Sequence, residues 1–219
     1  MLHKNKEEGL QLLTQSSIAH CESLNGLSSI RADEFNAVLW TRGLKRLTQQ
    51  ALQLLTRMDD ISVTDSASQI IHMLEYHPEL SRFADLQHDI AMLVKQFSAI
   101  SGSETVRLTL TTVNTDMCRR FHTDLNELRL LCTYTGPGTL ILPEDAADRK
   151  ALQFSGDNDR IVRDPDAIVR AGETDVVILK GALYPKDGVQ AAIHCSPTIE
   201  ETGKQRLLLR IDSNNLRFE

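Results

Sequence analysis

The chain has 219 residues, 41% of them hydrophobic and 25% charged, with a formal net charge of −6. That length buries a sizeable core without disulfides or a structural metal. The acidic balance argues against a nucleic-acid backbone as partner, and no apolar run approaches the roughly 18–20 residues of a membrane helix.

The N-terminus, MLHKNKEEGLQLL, is charged and carries no signal-peptide hydrophobic region. Residues 1–30 are weakly patterned, with a short helix expected near Leu10–Leu13. From Asp33, a candidate N-cap, the apolar residues Phe35, Val38, Leu39, Leu47, Leu54, Leu55 and Met58 recur at helical spacing and predict one long helix ending near Met58. Gly43 interrupts it, and Trp40 reads as a packing residue within it. A second helix fits Ser66–Tyr76. A third opens at Pro78, runs with an apolar stripe from Leu80 to Ile100, and closes at Gly102.

From Glu104 the period changes to two. Short strands are expected at 106–111, 118–124, 128–134, 139–142, 160–163, 175–179, 191–195 and 206–211. The pattern predicts an α+β protein, with a helical region over residues 1–102 packed on a β domain over 103–219 and the two forming one integrated fold. The four cysteines (Cys21, Cys118, Cys132, Cys195) include no CxxC pair and read as reduced thiols of a cytoplasmic protein.

The chemistry concentrates in CRRFHTDLNELRLLCTYTGPGTLILP, residues 118–143. His122 and Asp124 are one residue apart, so on a strand both would face one side. An imidazole and a carboxylate are two parts of the 2-His-1-carboxylate facial triad, which leaves metal positions open. His194, in AAIHCSP near the end of a short apolar strand, supplies the third ligand type. Cys118 shares the parity of His122 and Asp124 if the strand is continuous, and a thiolate there would favour zinc. The bland alternative is a hydrogen-bonded His-Asp pair and a buried cysteine.

The order of these segments resembles the double-stranded β-helix (jelly-roll, cupin-like) domain of iron- and 2-oxoglutarate-dependent oxygenases. The matching blocks are HTD, LRLLCTYTG, GPGTLILP, AGETDVVILKG, the later histidine and TGKQRLLLRID. The resemblance implies His122, Asp124 and His194 as ligands of Fe(II), and Arg206 as the partner of the 2-oxoglutarate carboxylate. Arg206 lies 12 residues beyond His194, slightly farther than the usual spacing. Arg210 has the same strand parity and could serve instead. Arg129 could point into the barrel toward an anionic substrate, and Tyr134 could line the pocket as a hydroxyl donor.

A closer resemblance, over nearly the whole chain, is to a bacterial family of unknown function, carried by FNAVLWTRGL, the 118–143 block and HCSP. It implies genes set near zinc-responsive loci and CobW-type metallochaperone GTPases, hence a role in metal supply. Two functions follow as expectations. One is an Fe(II)/2-oxoglutarate oxygenase acting on a small molecule or peptide. The other is a non-catalytic zinc protein of metal homeostasis. A third reading makes the fold a scaffold whose site has decayed, with the helices forming a homodimer surface.

Overall fold

A computed structural model describes residues 16–154, 157–200 and 203–213. The helix expected near Leu10–Leu13 lies outside them.

Strand β1 (Ile18–Cys21) leads through a 3-10 segment, Leu24–Arg31, to β2 (Ala37–Trp40). Helix α1 (Lys45–Leu54), strand β3 (Ile61–Asp65) and helices α2 (Ala67–Glu75) and α3 (Ala84–Ser101) follow. Then come β4 (Val106–Val113), β5 (Leu128–Thr135) and β6 (Leu140–Leu142), two short helices α4 (Arg149–Gln153) and α5 (Asn158–Ile161), and β7 (Val169–Arg170). Strands β8 (Val176–Lys180), β9 (Ile193–Cys195) and β10 (Arg206–Ser213) complete the described fold.

The strands form two sheets. A seven-stranded sheet has the order β1-β2-β8-β5-β10-β4-β3, and a three-stranded sheet has the order β7-β6-β9. All pairings are antiparallel except β1 with β2. Alternation along each strand distributes its side chains between two layers. In β5, Leu130, Cys132 and Tyr134 join the core that packs against α1–α3, while Leu131 joins a second core between the two sheets. In β9, Ile193 and Cys195 face α4 and α5. His194, between them, therefore turns inward.

The long helix expected over 33–58 is not formed. Its first part is β2, hydrogen-bonded in the middle of a sheet, and only Lys45–Leu54 is helical. Because Val38 packs toward the helices and Ala37 and Leu39 toward the other sheet, β2 is apolar on both faces. Such a run has no visible period of two. Gly43, with φ of +62°, separates strand from helix. With β1, β2 and β3 all in the large sheet, residue 102 does not divide a helical half from a β half.

The second helix falls as expected, and the third ends as expected but begins at Ala84 rather than at Pro78, with Leu80–Arg82 in a separate 3-10 turn. Ser66 caps α2 by accepting from Gln69 N–H, and Gly102 ends α3 in the left-handed region at φ +67°. Among the described residues, no helix is long and apolar enough to cross a membrane. Residues 118–124 and 160–163 are not strands. The first holds a single bridge from His122 to His194, and the second is split between the end of α5 and a single bridge from Val162 to Ala147.

Candidate metal centre

His122 and Asp124 are positioned without a strand. His122 N–H donates to His194 O and His194 N–H to His122 O, each at 3.0 Å, so the backbones of the two histidines are joined directly. Their rings lie 4.5 Å apart between centroids, tilted by 46°. Asp124 sits in a loop tied to the turn after β8: Ala182 N–H donates to Asp124 O at 2.8 Å and Leu183 N–H to Asn126 O at 3.0 Å. Gly181 makes that apposition possible, since a Cβ there would stand 2.1 Å from Asn126 O.

The ligand atoms of His122, Asp124 and His194 all lie within 4.8 Å of one another. His122 Nε2 is 3.8 Å from Asp124 Oδ1, and His194 Nε2 is 3.4 Å from Asp124 Oδ2. On the far side of each ring, His122 Nδ1 lies 2.9 Å from Arg120 O and His194 Nδ1 lies 3.5 Å from Ala192 O. A carbonyl can only accept, so each Nδ1 carries a proton, and in the neutral form of each ring Nε2 presents its lone pair.

Asp124 Oδ2 is buried without a hydrogen-bond partner. Burial, reinforced by His122 and opposed by Asp124, pushes the His194 pKa down to about 4, so its ring is neutral near pH 7. Three acceptors thus converge with no donor among them. That arrangement is unfavourable for protein alone and suits a divalent cation bound on one face.

Arg129 completes the carboxylate's surroundings. Its Nη1 lies 2.5 Å from Asp124 Oδ1, and its Nε lies 2.6 Å from Asp212 Oδ1. Asn126 Nδ2 also donates to Asp212 Oδ1, at 3.1 Å. Oδ1 of Asp124 is therefore held by the protein, and Oδ2 is left free.

The site opens into a cavity of about 270 Å³ between the sheets, lined by His122, His194, Arg129, Arg206 and Arg210 among others. Arg206, 1% exposed, donates from Nη2 to Thr133 Oγ1 at 3.2 Å, while its Nε is unsatisfied. Among the described residues no carboxylate pairs with it, and burial lowers its pKa to about 10. Arg206 and Arg210 do share one face of β10, as their parity predicts.

Tyr134 is not brought to the cavity. It points to the opposite face of β5, where its hydroxyl donates to Asp89 Oδ2 at 2.7 Å. The same carboxylate takes two bonds from Arg42, at 2.6 and 3.1 Å. Arg42 also stands 4.9 Å from the Trp40 ring, which explains the WTRG segment as an anchor between the sheet and α3. Cys118 lines the cavity with φ of +52° but lies outside the cluster of ligand atoms. The continuous strand that would have aligned it does not exist. Thr133, Asp212 and Asn126 escaped the sequence reading, because their roles depend on strand register and on loop placement.

A family model described as protein of unknown function (DUF1826) matches residues 21–212. No curated protein matches the chain at a significant level. Among solved structures, the 2-oxoglutarate complex of dioxygenase for auxin oxidation 1 from Arabidopsis thaliana is similar over 90% of this chain and 91% of that one, with a TM-score of 0.51 and 11% identity. A prolyl-4-hydroxylase from Pseudomonas putida is similar over 87% of this chain and 93% of that one, with a TM-score of 0.46 and 10% identity. At such identities the likeness concerns the fold. This chain has a mixed α/β architecture similar to that of 2-oxoglutarate oxygenases.

Proposed function

The chain belongs to the DUF1826 family of proteins of unknown function, and from the site built into it we propose that it is an Fe(II)- and 2-oxoglutarate-dependent oxygenase. In this reading the two sheets are the halves of a double-stranded β-helix, and the cavity between them is the active site. His122, Asp124 and His194 hold the iron through Nε2, Oδ2 and Nε2. Arg206, with the Thr133 hydroxyl beside it, takes the distal carboxylate of 2-oxoglutarate, for which a guanidinium provides a bidentate fit.

One observation carries this. Three converging acceptor atoms, two of them on His122 and His194 in the cavity wall, stand beside a buried guanidinium of the same cavity that pairs with no carboxylate among the described residues. Iron and 2-oxoglutarate, once bound, supply the oxidising chemistry with molecular oxygen, and the protein's part is to orient and to exclude water. Arg129 holds Asp124 so that one oxygen remains for the metal. Leu131 and Leu208 contribute apolar surface to the cavity wall.

The zinc-storage alternative would draw support from Cys118 as a fourth ligand, and Cys118 stands outside the ligand cluster. The test is to load purified protein anaerobically with Fe(II), add 2-oxoglutarate and oxygen, and measure succinate. Succinate formation that His122→Ala abolishes is expected. Intact iron binding with no succinate would overturn the oxygenase reading.

A further inference from the structure

Three guanidiniums line the cavity, and they are not equally occupied. Arg129 is committed to Asp124 and Asp212. Arg206 is buried at the inner end of β10 and, on the reading above, faces 2-oxoglutarate. Arg210 has only a share of Asp212: its Nε stands 3.3 Å from Oδ2 yet makes no hydrogen bond, while Oδ1 of the same carboxylate already accepts from Arg129 and Asn126.

Charge counting gives the same result. The three arginines meet two carboxylates, Asp124 and Asp212. A divalent ion and the dianion 2-oxoglutarate cancel one another. One positive charge is left over in a low-dielectric cavity, which favours an anionic ligand there.

Placement identifies where that anion would sit. Arg206 and Arg210 project from one face of β10, four residues apart, or about 13 Å along a strand at about 3.3 Å per residue. Arg206 is the deep group. Arg210, with its side chain 35% exposed, is the outer one. Around Arg210 the wall is mixed: Leu208 precedes it on the same face and Leu131 is its Cα partner on β5, while Thr109 is its Cα partner on β4. The cavity, at about 270 Å³, is just below the range of about 300–1,000 Å³ that holds drug-sized ligands. A small molecule with one anionic group and a short apolar body matches these features.

We infer that Arg210 anchors the primary substrate, and that this substrate is a small aliphatic carboxylic acid. The inference rests on the oxygenase reading in assigning Arg206 to 2-oxoglutarate and in counting the charges of the metal and 2-oxoglutarate, whereas the incomplete pairing of Arg210 stands apart from it.

The test uses the full chain loaded with Zn(II), which is redox-silent, and saturated with 2-oxoglutarate. Straight-chain carboxylates from propanoate to octanoate and the matching neutral amides are titrated calorimetrically. At least one carboxylate should bind at least tenfold more tightly than its amide. Arg210→Gln should weaken that carboxylate at least tenfold more than it weakens 2-oxoglutarate, with Arg206→Gln reversing the order. Arg210→Lys, which keeps the charge, should recover part of the affinity and serves if the glutamine variant does not fold. Amides binding as well as acids, acids indifferent to Arg210, or no binding by any acid would each overturn the inference. Failure of 2-oxoglutarate to bind, with acids still dependent on Arg210, would instead reject the oxygenase reading and leave the anion anchor standing.

Discussion

Arg129 Nη1 lies 2.5 Å from Asp124 Oδ1, while Oδ2 of the same carboxylate faces His194 at 3.4 Å with no hydrogen-bond donor. One side of the carboxylate is thus satisfied by protein and the other is open. Replacing Arg129 with Met leaves Asp124 and Asp212 buried without their shared cation. Removing one partner of a buried pair costs on the order of 3 kcal/mol. Urea denaturation of the metal-free variant should show that loss, and Co(II) should restore part of it by supplying a new cation at Asp124.

The pH dependence of the metal-free protein follows from His194. Its pKa falls to about 4 in the folded state, chiefly through burial, against about 6.5 unfolded. Between these values the unfolded chain binds the proton and the folded one does not. Stability is therefore fully present above about pH 6.5 and declines as pH falls toward 4, by about 3 kcal/mol in all. His194→Gln should flatten that part of the stability profile measured by denaturant titration.

Gly181 is required by the loop that carries Asp124. A Cβ at this position would meet Asn126 O at 2.1 Å, so Gly181→Ala must displace either the loop or the end of β8. Overpacking of this kind costs about 1–3 kcal/mol. The expected signature is a loss of metal affinity larger than that caused by alanine at Gly188, where a Cβ meets no neighbour and the strain comes only from a backbone φ of +81°. Equal metal affinities in the two variants would contradict the assigned role.

Tyr134 serves as a control on the other face of the sheet. Its hydroxyl donates to the Asp89 carboxylate that Arg42 also holds. Tyr134→Phe should cost about 2 kcal/mol, the worth of a hydrogen bond to a charged group. 2-Oxoglutarate affinity, followed by calorimetry, should be unchanged.

Parts of this site were legible in the sequence because they depend on local rules. Strand parity alone places Arg206 and Arg210 on one face, and it turns His194 away from its neighbours Ile193 and Cys195. The same rule, applied to 118–124, led astray. His122 and His194 do become neighbours, but through two reciprocal backbone hydrogen bonds rather than along a strand. Tyr134 failed for a related reason: parity separates it from Leu131 but cannot say which face of β5 meets the helices.

Ala37–Trp40 was misread because a strand buried on both faces loses its alternation. The Arg129–Asp212 contact was not legible at all. It arises from the pairing of β5 with β10, in which Arg129 stands opposite Asp212. Register of that kind joins residues 83 positions apart.

The most direct measurement is an anaerobic equilibrium titration of Fe(II) into metal-free protein, wild type beside Asp124→Ala, with iron counted per chain. The account predicts one equivalent bound by the wild type and a loss of binding of at least tenfold in the variant, with both proteins folded. No stoichiometric binding by the wild type, or equal binding by the two, would contradict a metal centre at His122, Asp124 and His194.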